Sequence, residues 1–180
     1  MVIKTFRLLI AILFFVAPAW AGSDTTLGSP DHDVKRLYPE STTYRMRSWE
    51  AKKEASKDVR HSFYAVYKDT ALIGLIYGVT SASSGGEIEL FTAFNRDGQI
   101  RDIYFQKIDS KDAPHFRSKF YRQQYKKFSL GKIPEYAQIN PPMRLPQTSV
   151  LKDHHLVINM VKQSIDVVKN FYNAAKAPGP

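Results

Sequence analysis

Residues 62–107 restrict this chain more than any other stretch, because they alternate strand-forming runs with turn signals. Ser62-Phe-Tyr-Ala-Val-Tyr-Lys68 is aromatic and β-branched, Asp69-Thr70 is a turn, and Leu72 to Thr80 is a second run of Ile, Leu, Tyr and Val. Glu87-Ile-Glu-Leu-Phe-Thr-Ala-Phe94 then alternates polar with apolar residues. Asn95-Arg-Asp-Gly98 is a strong turn signal, and Gln99 to Lys107 returns. Four antiparallel strands are expected here, with Ile88, Leu90, Thr92 and Phe94 on one face and Glu87, Glu89, Phe91 and Ala93 on the other.

Beyond this sheet the period changes. From Asp112, Phe116, Phe120, Tyr121 and Tyr125 fall at helical spacing among basic residues, and Gly131 and Pro134 close the segment. Pro141 to Pro146 is a connector. The last element is a helix from about Asp153 to Ala174, with Asp153 as its N-cap and Leu156, Met160, Ile165, Val168 and Tyr172 along its apolar stripe. Ahead of the sheet, Val34 to Tyr38 is a short helix stopped by Pro39, and Ser48 to Asp58 has no assignable geometry. The fold class is α+β: a twisted antiparallel sheet with packed helices, including a long C-terminal one.

The N-terminus reads as an export signal. Lys4 and Arg7 precede the apolar run Leu8 to Val16, and Ala19-Trp20-Ala21 is a small-x-small cleavage site. Leu8 to Trp20 is only 13 residues, where a spanning helix needs about 20. This divides the chain into a signal peptide over 1–21, a flexible leader over 22–33 made of Gly, Ser, Thr, Asp and Pro, and one domain over 34–176. A periplasmic location is expected, in which nucleic acid is not an expected partner. With no Cys in the chain, thiolate metal sites and cysteine nucleophiles are excluded. The net charge of +9 favours acidic partners or anionic lipid surfaces, or serves solubility alone.

A family resemblance rests on the order of these pieces. Tyr64-Ala-Val-Tyr-Lys-Asp-Thr-Ala-Leu-Ile-Gly-Leu-Ile-Tyr-Gly78, followed by Gly85-Gly-Glu-Ile-Glu-Leu-Phe-Thr-Ala-Phe-Asn-Arg-Asp-Gly-Gln-Ile-Arg-Asp-Ile-Tyr104, resembles the FMN-binding domain family. That family includes flavin subunits of sodium-pumping NADH:quinone reductases. The similarity covers roughly residues 37 to 175, and Lys111-Asp-Ala-Pro-His-Phe-Arg-Ser-Lys-Phe120 with His154-His155 is similar to exported FMN-binding-like proteins. The resemblance implies FMN as cofactor, electron transfer in the envelope and a redox protein as partner. Family members with covalent flavin attach it to a Thr just before the final helix. Leu151 stands at that position and has no hydroxyl, so non-covalent binding is expected, with Thr148 and Ser149 as the nearest hydroxyls.

Read as chemistry, the loop Ser81-Ala-Ser-Ser-Gly-Gly86 either presents backbone amides to a flavin phosphate, through Ser84, Gly85 and Gly86, or is an ordinary connection. Arg117, Ser118, His154 and His155 are the other candidate flavin contacts, the alternative being a cap and surface residues. Adjacent His residues on a helix point roughly 100° apart and make a poor chelating pair. Arg117, Lys119, Arg122, Lys126 and Lys127, interleaved with Phe116, Phe120, Tyr121, Tyr125 and Phe128, either dock an acidic partner or a membrane surface, or put their aromatics in the core and their bases in water. No catalytic constellation is visible, which leaves a cofactor-free binding module as the rival to a flavin carrier.

Overall fold

The computed structural model describes residues 25–28, 32–53, 56–142 and 148–176. The expected signal peptide, parts of the leader and residues 143–147 of the Pro-rich connector lie outside them. The sheet has six strands in sequential order, all antiparallel: β1 (Thr25–Gly28), β2 (Thr43–Lys53), β3 (Ser56–Lys68), β4 (Ala71–Ala82), β5 (Glu87–Asn95) and β6 (Ile100–Ile108). Helix α1 (His32–Leu37) lies between β1 and β2. After β6 come α2 (Ala113–Phe116), α3 (Lys119–Gln123), 3-10 turns over 124–127 and 136–138, and the long α4 (Thr148–Lys176).

The four strands expected from sequence are β3 to β6, with both turns in place. Asp69 takes the positive φ of 55° in the β3–β4 turn, and Gly98 takes 85° in the β5–β6 turn. Two further strands were not foreseen. Of the charged stretch 48–58, residues 48–53 belong to β2 and 56–58 to β3, and residues 25–28, expected to be flexible, pair along β2. Ladder bonds come from the backbone, so a polar composition does not forbid them.

Side chains alternate across the sheet and build two apolar layers. On one face Phe63, Leu75, Tyr77, Ile88, Leu90, Phe94, Ile103 and Phe105 meet Val157, Met160, Val161, Ile165 and Val168 of α4. Thr92 on the same face donates to Ser164 Oγ at 3.0 Å, and Ser164 donates to the Met160 carbonyl at 2.8 Å, so neither buried hydroxyl is orphaned. On the other face Val66, Ile76, Phe91 and Ala93 pack under Val34, Leu37 and Tyr38. The central strands are therefore covered on both sides, which is why Leu75 to Val79 and Phe91 to Phe94 read as continuous apolar runs.

Tyr38 anchors the smaller layer. It is fully buried, and its hydroxyl reaches the carbonyls of Phe94 at 2.5 Å and Leu75 at 3.2 Å. The ring can lie this close because Gly74 is beneath it, where any Cβ would strike the ring and hydroxyl. Past β6, Phe116, Tyr121, Tyr125 and Phe128 extend the larger core, and Ile100 N–H donates to the Phe128 carbonyl at 3.0 Å. Phe120 is the exception among these aromatics: it faces outward, 70% exposed. Among the described residues no helix is long and apolar enough to cross a membrane.

Candidate functional site

The loop between β4 and β5 turns inward. Ser84 donates its N–H to Asp153 Oδ1 at 2.8 Å and its hydroxyl to Asp153 Oδ2 at 2.7 Å. Asp153 is 1% exposed and lies inside α4, which begins at Thr148. It is therefore not the N-cap of the helix but a buried acceptor that clasps the loop. Gly85 and Gly86 serve a second aspartate. A Cβ on Gly85 would strike the Asp109 carbonyl, and one on Gly86, whose φ is 146°, would crowd the Asp109 carboxylate. Asp109 accepts from Glu87 N–H at 3.1 Å, and its own N–H donates to the Glu87 carbonyl at 2.8 Å. A protein carboxylate thus takes both donors of Ser84.

One turn into α4 the adjacent histidines separate, as their angular spacing requires. His154 is 2% exposed. Its Nε2 lies 3.1 Å from the Ile139 carbonyl and its Nδ1 lies 2.9 Å from the Tyr121 hydroxyl, which is 2.9 Å from that of Tyr125. A carbonyl only accepts, so Nε2 carries the hydrogen. The rest of the chain follows: Tyr125 donates to Tyr121, and Tyr121 donates to His154 Nδ1. Burial pushes His154 down to about 4, against a smaller raising effect from the Ile139 carbonyl, so it is neutral near pH 7. Burial, with Tyr125 adding to it, holds the Tyr121 phenol well above its usual range. The His154 imidazole is thus buried with both of its nitrogens bonded within the protein. His155 is exposed, its ring 4.5 Å from that of Tyr136. Thr148 is exposed, while Ser149 and Leu151 are half-buried within the first turns of α4.

Ser118 is also committed. Its hydroxyl accepts from Tyr121 N–H at 3.2 Å and donates to the His115 carbonyl at 2.6 Å, so it caps α3 and is not free for a ligand. Arg117 beside it is exposed and leans to the outer edge of β6. There, with Arg36, Tyr104, Phe105, Gln106 and Arg122, it lines a recess of about 280 Å³. The Arg36 guanidinium lies over the Tyr104 ring, 4.6 Å from its centroid. Arg122 forms two bonds to Asp102, at 3.2 and 2.6 Å. Arg36 and Arg117 have no carboxylate within ion-pair distance among the described residues.

No protein-family model, curated protein or solved structure matches this chain.

The candidate residues therefore form separate groups. Ser84 meets the start of α4 through Asp153, whereas Arg117 stands with Arg36 and Tyr104 on the α1 side of the sheet, away from 148–155. Asp109, Arg36, Tyr104 and the Tyr121–Tyr125 pair were not singled out as site residues from sequence. No local motif marks them, since Arg36 and Arg117 are brought together only when five sheet strands are laid down between them. Among the described residues no group of three or more His, Asp or Glu side chains is placed to hold a metal.

The basic segment after β6 sorts itself by side-chain type. Phe116, Tyr121, Tyr125 and Phe128 are fully buried, while Arg117, Lys119, Lys126, Lys127 and Lys132 are exposed. Lys127 donates to the Gln138 carbonyl at 2.9 Å, and both Lys127 and Lys132 lie over Phe128. Of the segment's lysines and arginines only Arg122 has an ion-paired carboxylate among the described residues. Phe120, exposed as well, follows Lys119 in α3.

Proposed function

We propose that this domain is an exported binding module that docks an acidic protein partner on the basic surface centred on Phe120. The observation that carries the reading is the exposed Phe120, next to Lys119 in α3, in a segment whose exposed Lys119, Lys126 and Lys132 have no ion-paired carboxylate among the described residues. An aromatic ring amid uncompensated bases suits a protein contact, in which the ring fills a pocket and the charges steer encounter. Lipid docking is less well supported, because α3, only five residues long, offers one large apolar side chain, whereas interfacial helices bury a continuous apolar face. The flavin reading rests on the family resemblance, and the donors of Ser84, Ser118 and His154 are all engaged within the protein.

The deciding experiment compares the protein with the Lys119→Glu/Phe120→Ala/Lys126→Glu variant as bait for envelope extracts. We expect an acidic protein retained at about 50 mM salt, released by about 500 mM, and absent from the variant. Equal capture by the variant would remove this surface from the reading. Retention on anionic vesicles with no protein captured would transfer it to lipid, and a visible flavin spectrum in purified protein would restore the electron-transfer alternative.

A further inference from the structure

The recess at the edge of β6 holds, besides its arginines, a backbone donor that the fold leaves without an acceptor. Ile103 N–H bonds to the side chain of Asp102 at 2.9 Å and so points away from β5. Ile100 N–H points the same way, to Phe128. Between Ile103 and Phe105 the register with β5 is unbroken, pairing Thr92 with Ile103 and Leu90 with Phe105. Strand alternation then turns Phe105 N–H to the outer side as well. Phe105 is 1% exposed, and among the described residues no side chain or loop carbonyl accepts from this N–H. An outward donor on the edge strand β6 that lines an open recess is available to a ligand atom.

Two guanidiniums converge on the same recess. Arg36 is held in place by the Tyr104 ring, and Arg117 follows directly after α2. Of the acidic groups nearby, Asp102 is bound by Arg122, and Asp33 lies near the Tyr104 hydroxyl and beside His32. We infer that this recess binds a phosphomonoester group, held by Arg36, Arg117 and the Phe105 amide. Its three terminal oxygens answer three separate donors, and its charge of up to about −2 matches the two unpaired guanidiniums. A carboxylate has one oxygen and one charge fewer. The site stands on different observations from the Phe120 surface and does not depend on it.

The test is an amide-resolved NMR titration of the protein with inorganic phosphate, then with phosphoserine, FMN and riboflavin. Saturable binding with the Phe105 amide among the largest shifts is expected, weakened about tenfold by Arg117→Gln and again by Arg36→Gln. Arg117 has no side-chain partner among the described residues, so its variant keeps the fold, and Lys132→Gln is the control that leaves affinity unchanged. Tighter binding of FMN than of phosphate, with riboflavin silent, supports the site and assigns the phosphate to a flavin. Tighter binding of phosphoserine supports it and assigns the phosphate to a modified protein. Phosphate binding undiminished in the double arginine variant, or no shift at Phe105, overturns the inference. So does free glutamate binding as tightly as phosphate. Retained phosphate binding in the Phe120 surface variant separates a failure of docking from a failure of this site.

Discussion

His154 shows how little of a buried polar residue can be read locally. The His154-His155 dipeptide at a helix start says that the two rings diverge, but not which one is inside. That is decided by Tyr121 and Ile139, which belong to other elements. Its consequence is a pH dependence of stability. The folded imidazole is held near 4 while an unfolded histidine titrates near 6.5, so the folded state binds fewer protons between those values. Stability is fully present above about pH 6.5, falls as the pH drops towards 4, and loses up to about 3 kcal/mol over that window. In urea unfolding, His154→Gln, which keeps one donor and one acceptor, is expected to lack this part of the slope. Parallel curves for the two proteins between pH 7 and pH 4 would refute it.

Two contacts join elements and can be tested as joints. The Asp153 clasp ties the start of α4 to the β4–β5 loop, so Asp153→Ala, which strands both Ser84 donors, should cost about 2–3 kcal/mol in chemical denaturation. Ser84→Ala in the Asp153→Ala background should add almost nothing, because the two residues share one interaction. The joint between α1 and the sheet depends on Gly74. Gly74→Ala should cost about 1–3 kcal/mol by lifting Tyr38 from the Phe94 and Leu75 carbonyls, and much less where Tyr38 is already Ala. Equal cost in both backgrounds would show that the Tyr38 ring is not what Gly74 accommodates. Elements β3 to β6 and α4 were legible in the sequence because each carries its own periodicity and turn chemistry. The start of α4 was not, since Asp153 looks like a cap by type and is a loop acceptor by position. Nor were β1 and β2, whose polar and charged residues give little apolar signal and whose pairing depends on a neighbouring edge.

For the molecule as a whole, coverage on both faces should order local stability. Native-state hydrogen exchange is expected to be slowest in Leu75–Val79 of β4 and Leu90–Phe94 of β5, and fastest in β1. Comparable protection in β1 would contradict the two-layer arrangement. The architecture could be reasoned from sequence because neighbours in the chain are neighbours in the sheet. The recess could not, because Arg36, Phe105 and Arg117 come from segments with nothing in common except their final location. The meander also has a consequence for how the chain is made. Its strands pair in the order of synthesis, but the cover of the larger apolar face is α4, the final element. A nascent chain that has emerged only as far as β6 therefore exposes Leu75, Leu90 and Phe105 with nothing to lay over them. The hairpins can form early, yet a protected native state waits until α4 is added.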